Sequence, residues 1–468
     1  MLGPRPVEAV TPLDPVHGGI EGRDSGFGIR AAALMPEVRS YWFPQAWLPS
    51  GIAERVRVDV AEGVIVAVSS DEKPCGTVLS GMVVPGFANV HSHAFHRALR
   101  GRTQTDRGSL WTWRERMYAV AGRLEPDSYY RLARAAYAEM VRAGYTSVAE
   151  FHYLHHSVHG QRYADPHEFS HALVAAAADA GIRLTLLDVC YLAGGFGQPT
   201  SGVQQRFDDG DAEAWARRLE SFDPAGELVR VGAAIHSVRA VPADQLPAVV
   251  RGAGDRPLHV HVSEQPLENE ECRAVHGCTP AELLSAVGAL TSRTVAVHAT
   301  HLTPGDITEL ASCCVCLCPS TEADLGDGIG PARALADAGA RLALGSDDQS
   351  VIDPWFEVRA LELHERLASG RRGRFGTTEL LSAATAHAAS GWTNLGAIAP
   401  GRDADLVCVD TMSPRTAGVD GAGILFAATA SDVTDVMIAG RWMVRDRAHR
   451  TLGDVAAALD AEIGALWQ

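Results

Sequence analysis

The sequence predicts an α/β protein: a (β/α)8 TIM barrel with a small β-sandwich domain formed by both chain ends. Three observations predict it. The 468 residues are too many for one small domain and suit a large barrel plus a satellite. From about Gly81 onward, apolar β-type runs alternate with alanine-rich helical stretches. Short alternating strands with Gly turns stand on both sides of that region and resemble each other in style.

The elements follow in order. Residues 1–36 are rich in Gly, Pro and charge without periodicity, which predicts a disordered tail, or an over-extended start with Met35 as the first residue. Residues 37–82 carry strand patterns at 39–42, 55–60 and 64–68 and make the N-terminal part of the small domain. The barrel is assigned to 83–392, with runs at 83–90, 147–152, 183–191, 230–236, 258–263, 294–298, 314–318 and 341–345. Helical patterns at 129–143, 169–180, 279–287 and 332–338 lie between them, and another covers 377–391. Strands at 405–409 and 433–444 place the C-terminal part of the small domain at 393–450. Residues 451–468 carry an amphipathic helix at 455–467.

Composition excludes several classes. A formal net charge of −16 argues against a nucleic-acid or anionic-membrane partner, while a few local arginines could still hold an anionic small molecule. Nine cysteines without framework spacing, no basic and apolar leader and no bilayer-length apolar stretch predict reduced thiols and a cytoplasmic location. Lys73 is the only lysine. That removes a P-loop lysine, and it leaves no lysine suitably placed for Schiff-base chemistry or a carbamylated two-metal bridge.

The chemistry concentrates at run ends. His91-Ser92-His93 closes the first run, and residues i and i+2 of a strand share a face, so both imidazoles point into the barrel at its C-terminal rim. His259 and His261 share a face on the fifth run, with Glu264 just beyond it. His298 ends the sixth run and Asp347 follows the eighth. Singly, each has an ordinary explanation: a core histidine, a helix N-cap, a surface carboxylate. Together they place imidazoles and carboxylates at four strand ends. That donor set suits zinc or another first-row divalent ion, which lowers the pKa of bound water. Glu264 is the candidate for moving protons. Cys313, Cys314, Cys316 and Cys318 lack paired metal-site spacing and fit a buried strand. His152, His155 and His156 read as a loop near the site mouth, and Trp111 and Trp113 as aromatic core or lid.

The segment from Pro85 through His93, HVHVSE from His259, HAT from His298 and GSD from Gly345 resemble the amidohydrolase superfamily. HSHAFHR from His91, WTWR from Trp111, AEFHYLHH from Ala149, HSVRAV from His236 and STEADLGDG from Ser320 more closely resemble one family within it. That family is the formimidoylglutamate deiminases (N-formimino-L-glutamate iminohydrolases) of histidine degradation, and the resemblance runs from about Tyr41 to the C-terminus. It implies one divalent metal per chain, Zn2+ first, held by His91, His93, His261 and Asp347. It assigns Glu264 and His298 to the water and the leaving group, with Asp347 also in the proton path. Whether His298 stabilises the developing oxygen charge or assists deprotonation stays open. His236 stands where two-metal relatives often carry a modified lysine, which points to a single metal. The implied small-molecule substrate is a dicarboxylate. It calls for arginine forks, for which Arg239 and Arg114 are the candidates, with Tyr153, His236 and His96 as further contacts. His96 departs from the glutamine of relatives. The implied reaction converts N-formimino-L-glutamate and water to N-formyl-L-glutamate and ammonia, in a homodimer. Two rival readings are a deaminase of a purine or other heterocycle, which needs edge-reading amides more than paired arginines, and a catalytically inactive barrel acting as a binding protein, which would have lost ligands this chain keeps.

Overall fold

The computed structural model describes residues 37–104, 108 and 110–468; the expectations for residues 1–36, Met35 included, lie outside the described residues. The first strands are β1 (Arg39–Leu48), β2 (Gly51–Ala61), β3 (Val64–Ser69), β4 (Thr77–Val78) and β5 (Met82–Pro85). β1 and β2 pair antiparallel from Arg39↔Val60 to Leu48↔Gly51. Glu62 and Gly63, at φ 49° and 81°, turn β2 into β3, as the twist of a two-residue hairpin requires.

The chain then enters the barrel: β6 (Phe87–Ser92), β7 (Tyr145–His152), β8 (Arg183–Cys190), β9 (Val229–Ile235), β10 (Leu258–Val262), β11 (Thr294–His298), β12 (Cys314–Leu317) and β13 (Arg341–Leu344). These form one eight-stranded sheet in chain order, every registered pair parallel. The cylinder closes between its first and last strands. Ser92 bridges Asp347, the Asp347 amide donates to His91 (3.0 Å) and the His93 amide donates to Asp347 (3.1 Å). Asn89 reinforces the closure by exchanging two side-chain bonds with Ser346, at 2.7 and 3.0 Å.

After the barrel come β14 (Leu406–Val409), β15 (Val433–Ile438), β16 (Arg441–Arg445) and β17 (Ala448–His449). They join β1–β5 in one nine-stranded mixed sheet with the path β17-β16-β15-β14-β5-β1-β2-β3 and β4 beside β1. This sheet encloses a core of its own, with Phe43, Val56, Val58, Ile65, Leu406 and Met437 fully buried. The C-terminal helix is Val455–Trp467.

Two expected elements divide. The apolar run at 83–90 is two strands: Val83 and Val84 pair with β14, whereas Phe87 onward pairs with β7. Gly86 is the crossing point, where a Cβ would lie 2.3 Å from the Thr146 hydroxyl. The helix expected over 377–391 ends at Ala384. The chain turns there because His387 is drawn under the barrel, 2.7 Å from the Ser147 hydroxyl and 2.8 Å from the Gly86 carbonyl. The barrel interior is filled by small residues, including Ala88, Val90, Val297, Cys314, Cys316 and Ala343. The cysteine-rich run is therefore a buried strand, and all nine cysteines are free thiols. No helix among the described residues is long and apolar enough to cross a membrane.

Candidate active site

The strand-end side chains converge. His91 Nε2 and His93 Nε2 each lie 3.4 Å from Asp347 Oδ1, and His261 Nε2 lies 3.1 Å from His91 Nε2. The backbone orients these rings. His93 donates from Nδ1 to the Phe151 carbonyl (3.1 Å) and His261 donates from Nδ1 to the His236 carbonyl (2.8 Å). A neutral imidazole that donates from Nδ1 keeps its lone pair on Nε2, so both rings turn lone pairs toward the same point. Burial holds all three histidines neutral: His91 and His93 titrate well below the usual range and His261 falls to about 3. Buried lone pairs facing a carboxylate fit a divalent cation, with outer hydrogen bonds of the kind that orient metal ligands.

His298 Nε2 is 3.5 Å from Asp347 Oδ2 and 3.9 Å from Glu264 Oε1, while its Nδ1 is 3.5 Å from Glu322 Oε1. Burial alone would lower its pKa, but the carboxylates of Glu264, Glu322 and Asp347 outweigh burial and raise it. Against its own burial, Glu264 is held below the usual carboxyl range by His298 and then Arg239. Ser263, His298, Ala299 and Asp347 all take positive φ, between 42° and 67°. Strain of about 1–3 kcal/mol per residue is typical where a backbone is bent to aim side chains at a functional site.

A cavity of about 360 Å³ opens from this point. The five residues expected to hold substrate, His96, Arg114, Tyr153, His236 and Arg239, all line it. Arg239 Nη2 reaches Glu264 Oε2 at 3.3 Å and its Nε lies 3.7 Å from Glu268. The Arg114 guanidinium lies 5.7 Å from the Tyr118 ring centroid. His96 meets the Tyr153 hydroxyl at 3.1 Å and packs edge-on against Trp113. The side chain of Trp111 lies outside the described residues.

A family model for the amidohydrolase family matches residues 82–443. This chain belongs to the amidohydrolase family. Within the family, it is 40% identical over 428 residues to a formimidoylglutamate deiminase of Pseudomonas aeruginosa, covering 86% of this chain and 94% of that one. It is 30% identical to a 5-methylthioadenosine/S-adenosylhomocysteine deaminase of Pelotomaculum thermopropionicum, covering 83% of this chain and 86% of the other. Among solved structures, an amidohydrolase from Brucella melitensis superposes with a TM-score of 0.80 at 34% identity, covering 92% of this chain and all of that one. An adenosine deaminase from Xanthomonas campestris with bound zinc superposes with a TM-score of 0.77 at 25% identity, covering 92% and 97%.

This amidohydrolase brings more to the centre than its strand-end motifs indicate. His96 comes within ligand reach of His93 and Asp347, and Cys318 comes within reach of His298 and Asp347. Glu322, which holds His298 from behind, also accepts the Cys318 amide at 2.8 Å. Glu150 props the His91–His93 turn, accepting from the Ser92 hydroxyl (2.8 Å) and the Ala94 amide (2.7 Å). Cys318 ends the seventh run and Glu322 lies in the STEADLGDG segment, so position alone marks both. Glu150 likewise lies in the AEFHYLHH segment, on the second run. His152, His155 and His156 are not at the mouth, and none of them lines the cavity. His155 belongs to a buried network in which Arg218 pairs with Asp188 (2.6 Å) and Asp209 and meets His155 at 2.9 Å.

Proposed function

We propose that this chain is a metal-dependent deaminase that hydrolyses N-formimino-L-glutamate to N-formyl-L-glutamate and ammonia. The observation that carries the reading is the joining of two features in one cavity: a lone-pair centre made by His91, His93, His261 and Asp347, and the half-buried guanidinium of Arg239 beside Glu264. The 40% identical deiminase supports the substrate.

One divalent cation per chain, Zn2+ first, would be held by His91, His93, His261 and Asp347, and when bound it supplies activation of water near neutral pH. The chain's own groups do the rest. Arg239 and Arg114 fix the substrate carboxylates, as planar forks do. Tyr153, His236 and His96 orient the formimino group over the centre. Glu264, kept ionised by His298 and Arg239, takes a proton from the attacking water. It then delivers that proton to the departing nitrogen. His298 is held between Glu264, Glu322 and Asp347, and these carboxylates keep it protonated. It can thus stabilise negative charge developing on oxygen, and Asp347 shares the proton path. The arginine-lined cavity disfavours a neutral heterocycle.

The test is release of ammonia by purified, zinc-loaded protein from N-formimino-L-glutamate, screened beside other formimino amino acids and nucleobases. Turnover of the dicarboxylate above all others is the expected result. No turnover of it by metal-loaded protein overturns the assignment.

A further inference from the structure

We propose that Gln204 sets the hydrogen-bond polarity of the Tyr118 and Tyr191 hydroxyls, making this part of the cavity wall a donor surface for the substrate carboxylate. The inference deepens the proposed function and rests on its carboxylate-bearing substrate.

Tyr118 lies on the helix Leu110–Ala121, and Tyr191 directly follows β8. Both line the cavity together with Arg114 and Arg239. Gln204 is buried beside them. Its carboxamide has one orientation: Oε1 accepts the Ser201 amide at 3.1 Å, which directs Nε2 at the tyrosines. Nε2 donates to the Tyr118 hydroxyl at 3.1 Å and to the Tyr191 hydroxyl at 3.0 Å, with a longer contact of 3.4 Å to the Gly194 carbonyl.

A carboxamide nitrogen carries two hydrogens, and a phenol carries one hydrogen and acceptor lone pairs. Each phenol oxygen that accepts from Gln204 must turn its own hydrogen away from Gln204, toward the cavity or toward the other phenol. Even where one phenol donates to the other, the second still turns its O–H outward, so a ligand meets at least one O–H donor here, and neither phenol has given its hydrogen to the glutamine. Burial pushes the Tyr191 phenol up, so it keeps that hydrogen. A carboxylate only accepts, and it completes this surface. A primary amide brings hydrogens of its own and matches it less well. The wall thus selects an anionic end over its neutral amide by hydrogen-bond direction, in addition to the charge of the arginines.

The experiment compares N-formimino-L-glutamate with its side-chain amide, N-formimino-L-glutamine. Gln204→Glu exchanges the donating nitrogen for an acceptor and draws the phenol hydrogens back. For the dicarboxylate, KM should rise about tenfold or more, the size of one lost charge-assisted hydrogen bond, with kcat within about threefold. For the amide, KM should move less than about threefold, so the preference between the two collapses. The double variant Tyr118→Phe/Tyr191→Phe asks the same question without a new charge, should Gln204→Glu not fold. A dicarboxylate KM within about twofold of wild type in the folded variants overturns the proposal, as does an equal rise for both substrates. Wild-type turnover tests the underlying reading separately. The variant effect can be read without turnover, by calorimetric binding of L-glutamate against L-glutamine.

Discussion

Replacing Arg239 by Met removes the guanidinium while keeping most of its apolar stem. The side chain is 18% exposed and lies 3.3 Å from Glu264 and 3.7 Å from Glu268. A fork in this setting can make two charge-assisted bonds to one carboxylate, each worth about 1.5–3 kcal/mol. Losing both costs about 3–6 kcal/mol of transition-state binding, which is a fall in kcat/KM of about 10²–10⁴-fold. A second effect follows from Glu264. Burial pushes its carboxyl up, and His298 and then Arg239 hold it down. Without Arg239 its pKa rises. A base works deprotonated, so the acidic limb of the pH profile moves to higher pH. The assay is colorimetric ammonia release from N-formimino-L-glutamate across pH, with metal per chain measured on the same samples. A loss of less than about tenfold with metal retained would refute arginine-fork recognition, and a substrate without carboxylates is the natural successor.

Other outcomes follow from the same geometry. Glu264→Gln should lower kcat by about 10²–10⁴-fold with metal still bound; an unchanged kcat would remove Glu264 from proton transfer. A strong chelator should abolish activity and added Zn2+ restore it, while full activity in chelated, metal-free protein would end the metal reading. Gly345→Ala places a Cβ 2.8 Å from the Cβ and carbonyl oxygen of His91. It should reduce both metal per chain and the melting temperature, and a fully metallated variant of wild-type Tm would show that this approach is not tight. His387 is held down by burial to about 4 from the usual 6.5. The unfolded chain binds this proton and the native one does not, so the contribution is complete above pH 6.5 and fades as pH falls toward 4. The gap is worth up to about 3 kcal/mol. His387→Gln should flatten the fall in urea midpoint over that window, and identical slopes for variant and wild type would count against it.

The strand ends were readable because period-two alternation sends His91 and His93 to one face and the barrel rule puts that face at the rim. His261 obeys the same logic; for His298 and Asp347 the rim position follows from the strand end, while a backbone of positive φ aims the side chain. What alternation could not reveal is the partner of a strand. The stretch at 83–90 is apolar throughout, so nothing in its pattern distinguishes the half that pairs with β14 from the half that pairs with β7. The alanine content around His387 reads as helix, because the force that bends the chain there comes from Ser147 and Gly86, far away in sequence. Long-range pairing also hid the place of His155, which is fixed by Arg218, and of Tyr118 and Tyr191, which both accept from Gln204. Local pattern reports which way a side chain faces, and such residues are defined by what they face.

The seam between β6 and β13 bears on how such a centre comes into being. Asn89 and Ser346, which lock it, stand 257 residues apart. During synthesis the two rim histidines emerge early and wait for their carboxylate through seven further strands. A chain arrested before β13 has the rim imidazoles without Asp347 and a cylinder without its last stave. On the proposed ligand set, loading of a cation would be tied to completion of the wall, because a half-made barrel lacks one of the four ligands.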